Sequence, residues 1–391
     1  MPNNPIVIVG AKRTPMGALG GKLKSLSATD LGGVAIKGAL AQGNVPPEKI
    51  SSVFMGCVLS AGLGQSPARQ ASLKAGISYH TTTTHLNKVC GSALQAVFSA
   101  TQELLTQPSE GVVVAGGMES MTNAPYLITK ARQGYRLGHG TLIDHLFFDG
   151  IENASDHQLM GAFAEYTAEK YSLTRKIQDD YAQESVSRTL KALKDKTFDE
   201  EIIPVFTEGE MVSVDEPPLR IKIEKIPTLK PAFSPQGTVT AASSSALADG
   251  SSALVVTHLQ TAQKEGWKPL AVIRGISTHA QEPEWFTTAP IEAISKLATQ
   301  TGWLLSDVDL FEINEAFAVV PLAVMKSLNI PFSKVNIFGG ACSLGHPLGA
   351  SGVRIVITLL NGLQKKNLKK GIAALCIGGG EAMAIAIERL V

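Results

Sequence analysis

Short apolar runs, many of them β-branched, alternate along this chain of 391 residues with segments of helical periodicity. Because strands buried inside a protein are short and nearly continuous in apolar residues, each of these runs is typical of a buried strand. The alternation predicts an α/β protein. The predicted strands are Ile6–Val9, Ser52–Phe54, Gly111–Ala115, Leu270–Arg274, Leu310–Ile313 and Ile372–Ile377.

The two ends of the chain also repeat one order of elements. In the front copy, Cys90-Gly91-Ser92 precedes a helix and a strand that runs into Gly116-Gly117. In the rear copy, Gly345-His346-Pro347 precedes a helix and a strand that runs into Gly378-Gly379-Gly380. This weak repeat predicts two similar halves that face each other and contribute different parts of one site.

The middle of the chain breaks the repeat. It is richer in charged residues and proline, and we expect an inserted lobe that is helical over Gln158–Ala192. Insertions on a rigid scaffold often carry ligand recognition. The predicted domains are therefore residues 1–120, completed by 243–268, an inserted domain over 121–242, and a second half over 269–391.

Composition excludes several functional classes. Lys plus Arg total 35 against 34 Asp plus Glu, so the strong basic excess of a nucleic-acid-binding protein is missing. The four cysteines are scattered and form neither a disulfide framework nor a closely spaced metal-ligating set. No apolar run approaches the roughly 18 residues of a membrane span, and Ile6–Val9 is too short for a signal-peptide core. We expect a cytoplasmic protein without membrane attachment.

Cys90 is the first candidate for chemistry. It directly precedes a helical segment, and the N–H groups and positive dipole end of a helix N-terminus favour a thiolate. Gly91 allows the backbone to approach a ligand closely. The alternative interpretation is a buried cysteine that packs as a small apolar residue.

Three further residues stand where chemistry is plausible. His346, between a glycine and a proline, lies on a stiff turn and could activate a cysteine or donate to an oxyanion. Cys376 precedes three glycines at the end of an apolar strand, where a thiol could act as an acid or base. Asn314 follows a strand and could orient a water or a carbonyl, although a structural role as a helix cap is an alternative for it.

Taken together, several separated blocks closely resemble the signature blocks of the thiolase family. The similarity extends in order from Ile8 to Ile387, almost the whole chain. Gly64–Ala71 and the central lobe are most similar to the short-chain, biosynthetic branch. The blocks are Asn87–Ser92, Gly116–Met121, Asn314–Ala318, Gly339–Gly352 and Cys376–Gly380.

The resemblance implies a fold and a set of catalytic roles. The fold is a five-layered α-β-α-β-α arrangement with an inserted loop domain that binds coenzyme A. Cys90 is the nucleophile that becomes acylated, and Cys376 moves the α-proton of acetyl-CoA. His346 activates Cys90 and, with a water held by Asn314, stabilises the enolate. The N–H groups of Cys90 and Gly378 form a second oxyanion hole.

The resemblance also implies how the substrate is held. Arg220 is placed near the adenine and phosphates, and Ser245 bonds the pantetheine arm. Met160 and Phe286 line the acyl pocket. Coenzyme A thioesters are the substrates, and no metal or other cofactor is expected.

The chain departs from the family pattern at several places, and one of them is Ala93, which stands where a glycine is usual. Leu159 stands where short-chain members usually have His, and Ser243 stands where they have Asn. Glu381-Ala382 follows the triple glycine where another glycine is usual. None of these departures falls on the four principal catalytic residues.

The expected reaction is the reversible Claisen condensation of two acetyl-CoA to acetoacetyl-CoA plus CoA. A degradative 3-ketoacyl-CoA thiolase of broader chain length shares every catalytic residue and stays an alternative. Cys376 argues against a decarboxylating ketoacyl synthase, which has a Cys-His-His or Cys-His-Asn set. The intact catalytic set argues against a catalytically dead scaffold.

Since relatives are commonly dimers of dimers joined partly through a hairpin, the segment Tyr126–Asp149 predicts a homotetramer.

Overall fold

The computed structural model describes residues 4–106 and 110–390. The strands are β1 (Ile6–Arg13), β2 (Gly17–Ala18), β3 (Ser52–Gly56), β4 (Thr82–Leu86), β5 (Val112–Ser120), β6 (Tyr126–Leu127), β7 (Ile143–Asp144), β8 (Val205–Thr207), β9 (Glu210–Val212), β10 (Ala248–His258), β11 (Ala271–Ala280), β12 (Leu310–Ile313), β13 (Lys370–Ile377) and β14 (Glu381–Arg389).

The α-helices are α1 (Ala28–Gly43), α2 (Pro67–Lys74), α3 (Ser92–Thr106), α4 (Met160–Lys170), α5 (Arg175–Lys194), α6 (Pro217–Arg220), α7 (Leu259–Glu265), α8 (Ala289–Thr301), α9 (Val319–Leu328), α10 (Ala341–Leu344) and α11 (Ser351–Lys365). Short 3-10 helices occupy Pro47–Lys49, Thr197–Glu200, Ile223–Thr228, Pro283–Thr288, Leu305–Asp307 and Phe332–Lys334, and a π-helix occupies Phe147–Ile151. Within the described ranges, no helix has the length and apolar character needed to cross a membrane.

The large sheet consists of two copies of one arrangement. Its strand order is β12-β13-β14-β11-β1-β10-β5-β3-β4, and β2 pairs with β10. In the first half β3 is parallel to β4 and β5, whereas β5, β10 and β1 are antiparallel. In the second half β12 is parallel to β13, and β13, β14 and β11 are antiparallel. The halves join where Val7 pairs with Val272 and Ile8 with Ala271, so the predicted pair of similar halves is confirmed.

Alternating side chains of each strand enter different hydrophobic layers. In β1, Ile6 and Ile8 pack in the inner core with α3, whereas Val7 and Val9 pack in the outer core with α1. Helices α3 and α11 fill the middle layer, where α3 contacts strands of the first half and α11 contacts strands of both halves. Helices α1 and α2 cover one outer face, and α8 and α9 cover the other. The result is the five-layered arrangement that the resemblance implied.

The two middle helices approach closely. A side-chain carbon at Gly352 of α11 would lie 2.6 Å from the backbone nitrogen of Leu94 of α3, so only glycine fits this crossing. Nearly the whole of α11 is buried, including the guanidinium of Arg354. The helices that follow Cys90 and His346 are therefore packed directly against each other.

Residues 121–242, all of which are described, contribute no strand to the large sheet. The single helical region predicted over Gln158–Ala192 is wrong in detail: α4 and α5 are separate, because Ser172 takes a left-handed conformation (φ 52°) and Thr174 caps α5. The segment is tied to the first half by the buried Arg13, which pairs with Asp215 at 2.7 Å and Glu201 at 3.2 Å. The domain boundaries given above stay a prediction.

Candidate active site

Cys90 lies on a tight turn between β4 and α3. Val89, directly before it, has φ 47°, a left-handed conformation that β-branched residues rarely adopt. The hydroxyl of Ser92 holds this turn, because it accepts from the N–H of Lys88 (2.9 Å) and donates to the carbonyl of Val89 (2.7 Å). Such strained backbone is concentrated at functional sites. The turn places the Cys90 thiol at the beginning of α3.

The thiol of Cys90 is buried, with 9% of the residue exposed. Burial raises the pKa of Cys90 to about 11, although the N–H groups of Gly378 and of Cys90 itself act in the opposite direction. Loss of hydration thus opposes the thiolate that the helix N-terminus is expected to favour. A nucleophile with this pKa needs a base to accept its proton.

The second thiol and the glycine turn come from the other half. Cys376 is fully buried near the end of β13, and burial, followed by the charge of Cys90, holds the pKa of Cys376 well above its usual value. The turn that follows has Gly379 at φ 91° and Gly380 at φ 94°, which favour glycine. The N–H of Gly378 reaches the sulfur of Cys90, so the two halves meet at this thiol.

His346 lies buried between the two halves, with 4% of the residue exposed. Its Nδ1 is 2.5 Å from the hydroxyl of Ser351, and its Nε2 is 3.5 Å from the amide nitrogen of Asn314. Burial, followed by the positive charge of Arg354, lowers the pKa of His346 to about 3. The imidazole is therefore neutral near pH 7 and can accept a proton.

A buried ion pair supports the Asn314 amide from behind. One guanidinium nitrogen of Arg354 is 2.9 Å from the carboxylate of Glu312, and another is 3.3 Å from Oδ1 of Asn314. Burial raises the pKa of Glu312 to about 8, with Arg354 acting in the opposite direction. Sequence reasoning missed this pair. The feature that could have revealed it is a charged residue inside an apolar strand, Glu312, together with one inside an apolar helix, Arg354.

A cavity of about 260 Å³ opens onto Cys90, His346 and Gly378. Three residues expected to contact substrate, Ser245, Met160 and Phe286, line it, and so does Leu159. Asn314 and Cys376 lie behind this surface. The lining that sequence reasoning missed is mostly apolar: Met121, Phe147, Gly150, Ile151, Gly161, Phe233, Ser244, Leu247, Ala316, Phe317 and Leu348.

Of the four residues expected to bind substrate, Arg220 is the one that does not line this cavity. Its side chain is about half exposed and forms an ion pair with Glu216. The other expected site residues are thus brought together, and Arg220 lies apart from them. Among the residues that the structure describes, no group of three or more His, Cys, Asp or Glu side chains could hold a metal ion.

Comparison with known proteins agrees with this geometry. Residues 6–260 match the family model "Thiolase, N-terminal domain", and residues 267–389 match "Thiolase, C-terminal domain". An acetyl-CoA acetyltransferase of Arabidopsis thaliana is 47% identical over 98% of this chain and 97% of its own length. A probable acetyl-CoA acetyltransferase of Dictyostelium discoideum is 45% identical over 98% of this chain and 94% of its own.

Solved structures show the same similarity. The Acat5 thiolase from Ascaris suum in complex with coenzyme A has a TM-score of 0.94 and 40% identity, covering 99% of this chain and 100% of the other. The acetyl-CoA acetyltransferase of Bacillus anthracis has a TM-score of 0.95 and 38% identity, covering 99% of each chain. The chain belongs to the thiolase family and is an acyltransferase.

Proposed function

We propose that the chain catalyses the reversible condensation of two acetyl-CoA to acetoacetyl-CoA and CoA, as an acetyl-CoA acetyltransferase. The observation that carries this proposal is the meeting of Cys90, His346 and the Gly378 N–H at one cavity, with Cys376 buried beside them. The names of the relatives at 45–47% identity support the same reaction. One sulfur serves as the nucleophile and the other as the acid or base.

The first half-reaction acylates Cys90. Nε2 of His346 takes the thiol proton, and the sulfur attacks the carbonyl carbon of acetyl-CoA. The oxygen that becomes negative in this step needs fixed hydrogen-bond donors, and protonated Nε2 is one. The carbon–sulfur bond to coenzyme A then breaks, and the departing thiolate takes a proton from the Cys376 thiol, while Nε2 of His346 keeps the proton of Cys90.

The second half-reaction forms the carbon–carbon bond. Cys376, now a thiolate, removes an α-proton from a second acetyl-CoA, and protonated Nε2 of His346 with a water held by Asn314 stabilises the enolate oxygen. The enolate carbon attacks acetyl-Cys90, while the N–H groups of Cys90 and Gly378 stabilise the tetrahedral oxyanion. Collapse releases acetoacetyl-CoA and the Cys90 thiolate, which takes back its proton from Nε2 of His346, while Cys376 remains a thiol with the proton it removed.

Arg220 and Ser245 are proposed to hold the coenzyme. Glu216, the partner of Arg220, also accepts from the backbone N–H groups of Ala18 (3.1 Å) and Lys22 (2.9 Å). Because those bonds already satisfy one oxygen of the carboxylate, Arg220 can turn towards a phosphate at low cost. The second candidate is a degradative 3-ketoacyl-CoA thiolase, which the apolar lining around Leu159 and Met160 would also suit.

Thiolysis of 3-ketoacyl-CoA substrates of four to sixteen carbons separates the two candidates. We expect activity confined to the four-carbon substrate, because Phe147, Phe233, Phe286 and Phe317 all face a cavity of only about 260 Å³. Substantial rates on long chains would assign the degradative function instead. Cys90→Ala is the control, and residual activity in that variant would exclude the acyl-Cys90 mechanism.

We further propose that the protein is a cytoplasmic homotetramer. The segment from Tyr126 to Asp149 exposes apolar side chains, among them Tyr126 (63% exposed), Leu137 (98%) and Leu142 (62%). Apolar groups exposed together on one segment favour contact with another subunit. Light scattering tests this proposal, and a dimeric mass would contradict it.

A further inference from the structure

His346 can serve as a base only in one of its two neutral forms. A neutral imidazole carries its hydrogen on either Nδ1 or Nε2, and the nitrogen without hydrogen is the proton acceptor. The proposed function requires Nε2 to be that acceptor, since Nδ1 faces Ser351 instead. The contacts around His346 determine which form is stable.

On the Nδ1 side, Ser351 decides the direction of the hydrogen bond. Its hydroxyl is 2.5 Å from Nδ1 and 2.9 Å from the carbonyl oxygen of Pro347. A carbonyl oxygen can only accept, so the single hydroxyl hydrogen of Ser351 is donated to Pro347. The hydroxyl oxygen is then an acceptor towards His346, and Nδ1 carries the hydrogen.

On the Nε2 side, Arg354 decides the orientation of the Asn314 amide. A guanidinium group only donates, so the amide atom 3.3 Å from Arg354 is the oxygen of Asn314. The NH2 group of Asn314 therefore points to Nε2, at 3.5 Å. An N–H aimed at Nε2 favours the form in which Nε2 bears a lone pair.

We propose that Ser351 and Arg354 are positioning residues that together hold His346 in the form with hydrogen on Nδ1 and a free lone pair on Nε2. They lie three residues apart on α11, and side chains with this spacing share one helix face. Both are buried, with about 1% of each residue exposed, so water does not compete for these hydrogen bonds.

The arrangement has a chemical consequence that rests on the proposed function. The Cys90 S–H bond breaks and an N–H bond forms at Nε2, while the electron pair of the broken bond stays on sulfur. Ser351 still accepts from Nδ1 in the resulting imidazolium, so this contact is kept through the step. The amide of Asn314, at the limit of hydrogen-bond distance, is released to hold a water.

Ser351→Ala tests the proposal directly. We expect the alkylation rate of Cys90 by iodoacetamide at pH 7 to fall tenfold to a hundredfold, part of the 10²–10⁴-fold that a general base supplies. We expect kcat for acetoacetyl-CoA thiolysis to fall equally, with KM changed less than about threefold, because no coenzyme contact is lost. Ser351→Thr, which keeps the hydroxyl, should restore most of the alkylation rate.

Ser343→Ala is the matched control. Ser343 is a fully buried serine in the short helix α10, and its hydroxyl has no partner among the described residues. We expect Ser343→Ala to keep the wild-type alkylation rate and kcat. Wild-type rates in Ser351→Ala, or equal losses in Ser343→Ala, would overturn the proposal.

A spectroscopic measurement covers the case in which Ser351→Ala does not fold. In the wild-type protein labelled with ¹⁵N-histidine, with the His346 signal assigned by its absence in His346→Asn, we expect hydrogen on Nδ1 and none on Nε2. The opposite form would refute the assignment. Neither this spectrum nor alkylation uses a coenzyme A substrate. Both therefore test the form of His346 even if the proposed function is wrong.

Discussion

Lys88 and Glu381 form an ion pair that connects the turn before Cys90 to the residue directly after Gly378–Gly380. The two residues come from different halves, 293 positions apart in the sequence. Glu381 is also one of the departures from the thiolase pattern, and its partner gives it a physical explanation. The pair acts as a clamp between the turn that carries the nucleophile and the glycine turn.

Removing this clamp should slow the reaction without unfolding the protein. The side chains of Lys88 and Glu381 are 24% and 37% exposed, and partly exposed ion pairs contribute at most about 1 kcal/mol. For Glu381→Ala we expect kcat to fall about twofold to fivefold, with partial recovery in Lys88→Glu/Glu381→Lys. A double-mutant cycle on kcat measures the coupling, and zero coupling would show that other contacts hold the turns.

The control for this cycle is the ion pair of Glu110 and Lys264, whose side chains are 73% and 65% exposed. Neither residue lines the cavity, so Glu110→Ala should leave kcat unchanged. In 1 M salt, where charges are screened beyond about 3 Å, the effect of Glu381→Ala should shrink. An effect independent of salt would argue for a steric role of Glu381.

The pH dependence of Cys90 alkylation follows from its raised pKa. Far below a pKa of about 11, the thiolate fraction rises tenfold per pH unit. In His346→Asn, where no base assists the thiol, we therefore expect the rate of iodoacetamide labelling, measured by mass spectrometry of the Cys90 peptide, to rise steadily from pH 6 to pH 9. A plateau below pH 8 would mean that the thiol is already ionised. Cys57 and Cys342, both buried, serve as internal controls and should stay unlabelled.

The contact between Gly91 and Ile377 gives a substitution with a designed rescue. A side-chain carbon at Gly91 would lie 2.4 Å from Cδ1 of Ile377, so that either the packed Ile377 side chain or one of the two catalytic turns must shift. We expect Gly91→Ala to lower kcat about tenfold or more. Ile377→Val removes the clashing carbon, so the double variant should recover part of kcat, whereas Ile377→Val alone should cost only about 1 kcal/mol of stability. A double variant no better than Gly91→Ala would place the conflict elsewhere.

His346 also affects stability in acid. Its pKa is about 3 in the folded protein and near 6.5 in an unfolded chain, so between these values only the unfolded state binds the proton. The stability that His346 contributes is therefore complete above about pH 6.5 and is lost as the pH falls towards 3, at up to about 1.4 kcal/mol per unit. Thermal unfolding from pH 7 to pH 4.5 should show a smaller loss in His346→Asn than in the wild type. Equal losses would contradict the lowered pKa.

The strands were the most predictable part of the fold, and their ends the least. Leu310–Ile313 has the bounds of β12, since turn residues flank a short apolar run. The run Gly111–Ala115 was expected to stop at Gly116, yet β5 continues to Ser120. A side-chain carbon at Gly117 would lie 1.9 Å from the carbonyl oxygen of Gly349. This glycine therefore allows two backbone segments to approach closely and does not form a turn. That approach involves the other half of the chain and leaves no local signal.

In the site, too, the residues with a local sequence pattern were predictable, and those defined by long-range contacts were not. Cys90, His346 and Cys376 stand beside glycines, and such local patterns are visible in a sequence. Ser351 and Arg354 belong to a helix that looks simply apolar, and their value depends on partners in β12 and the His346 turn. The left-handed Val89 and the π-helix that lines the cavity are likewise set by tertiary contacts.

The doubled sheet has a consequence for the symmetry of the site. Cys90 precedes the middle helix of one half, and His346 precedes the corresponding helix of the other. A protein of half this length would pair with itself and bring two identical turns together, either two nucleophiles or two bases. Because both halves belong to one chain, the two turns need not be identical, and each serves a different task.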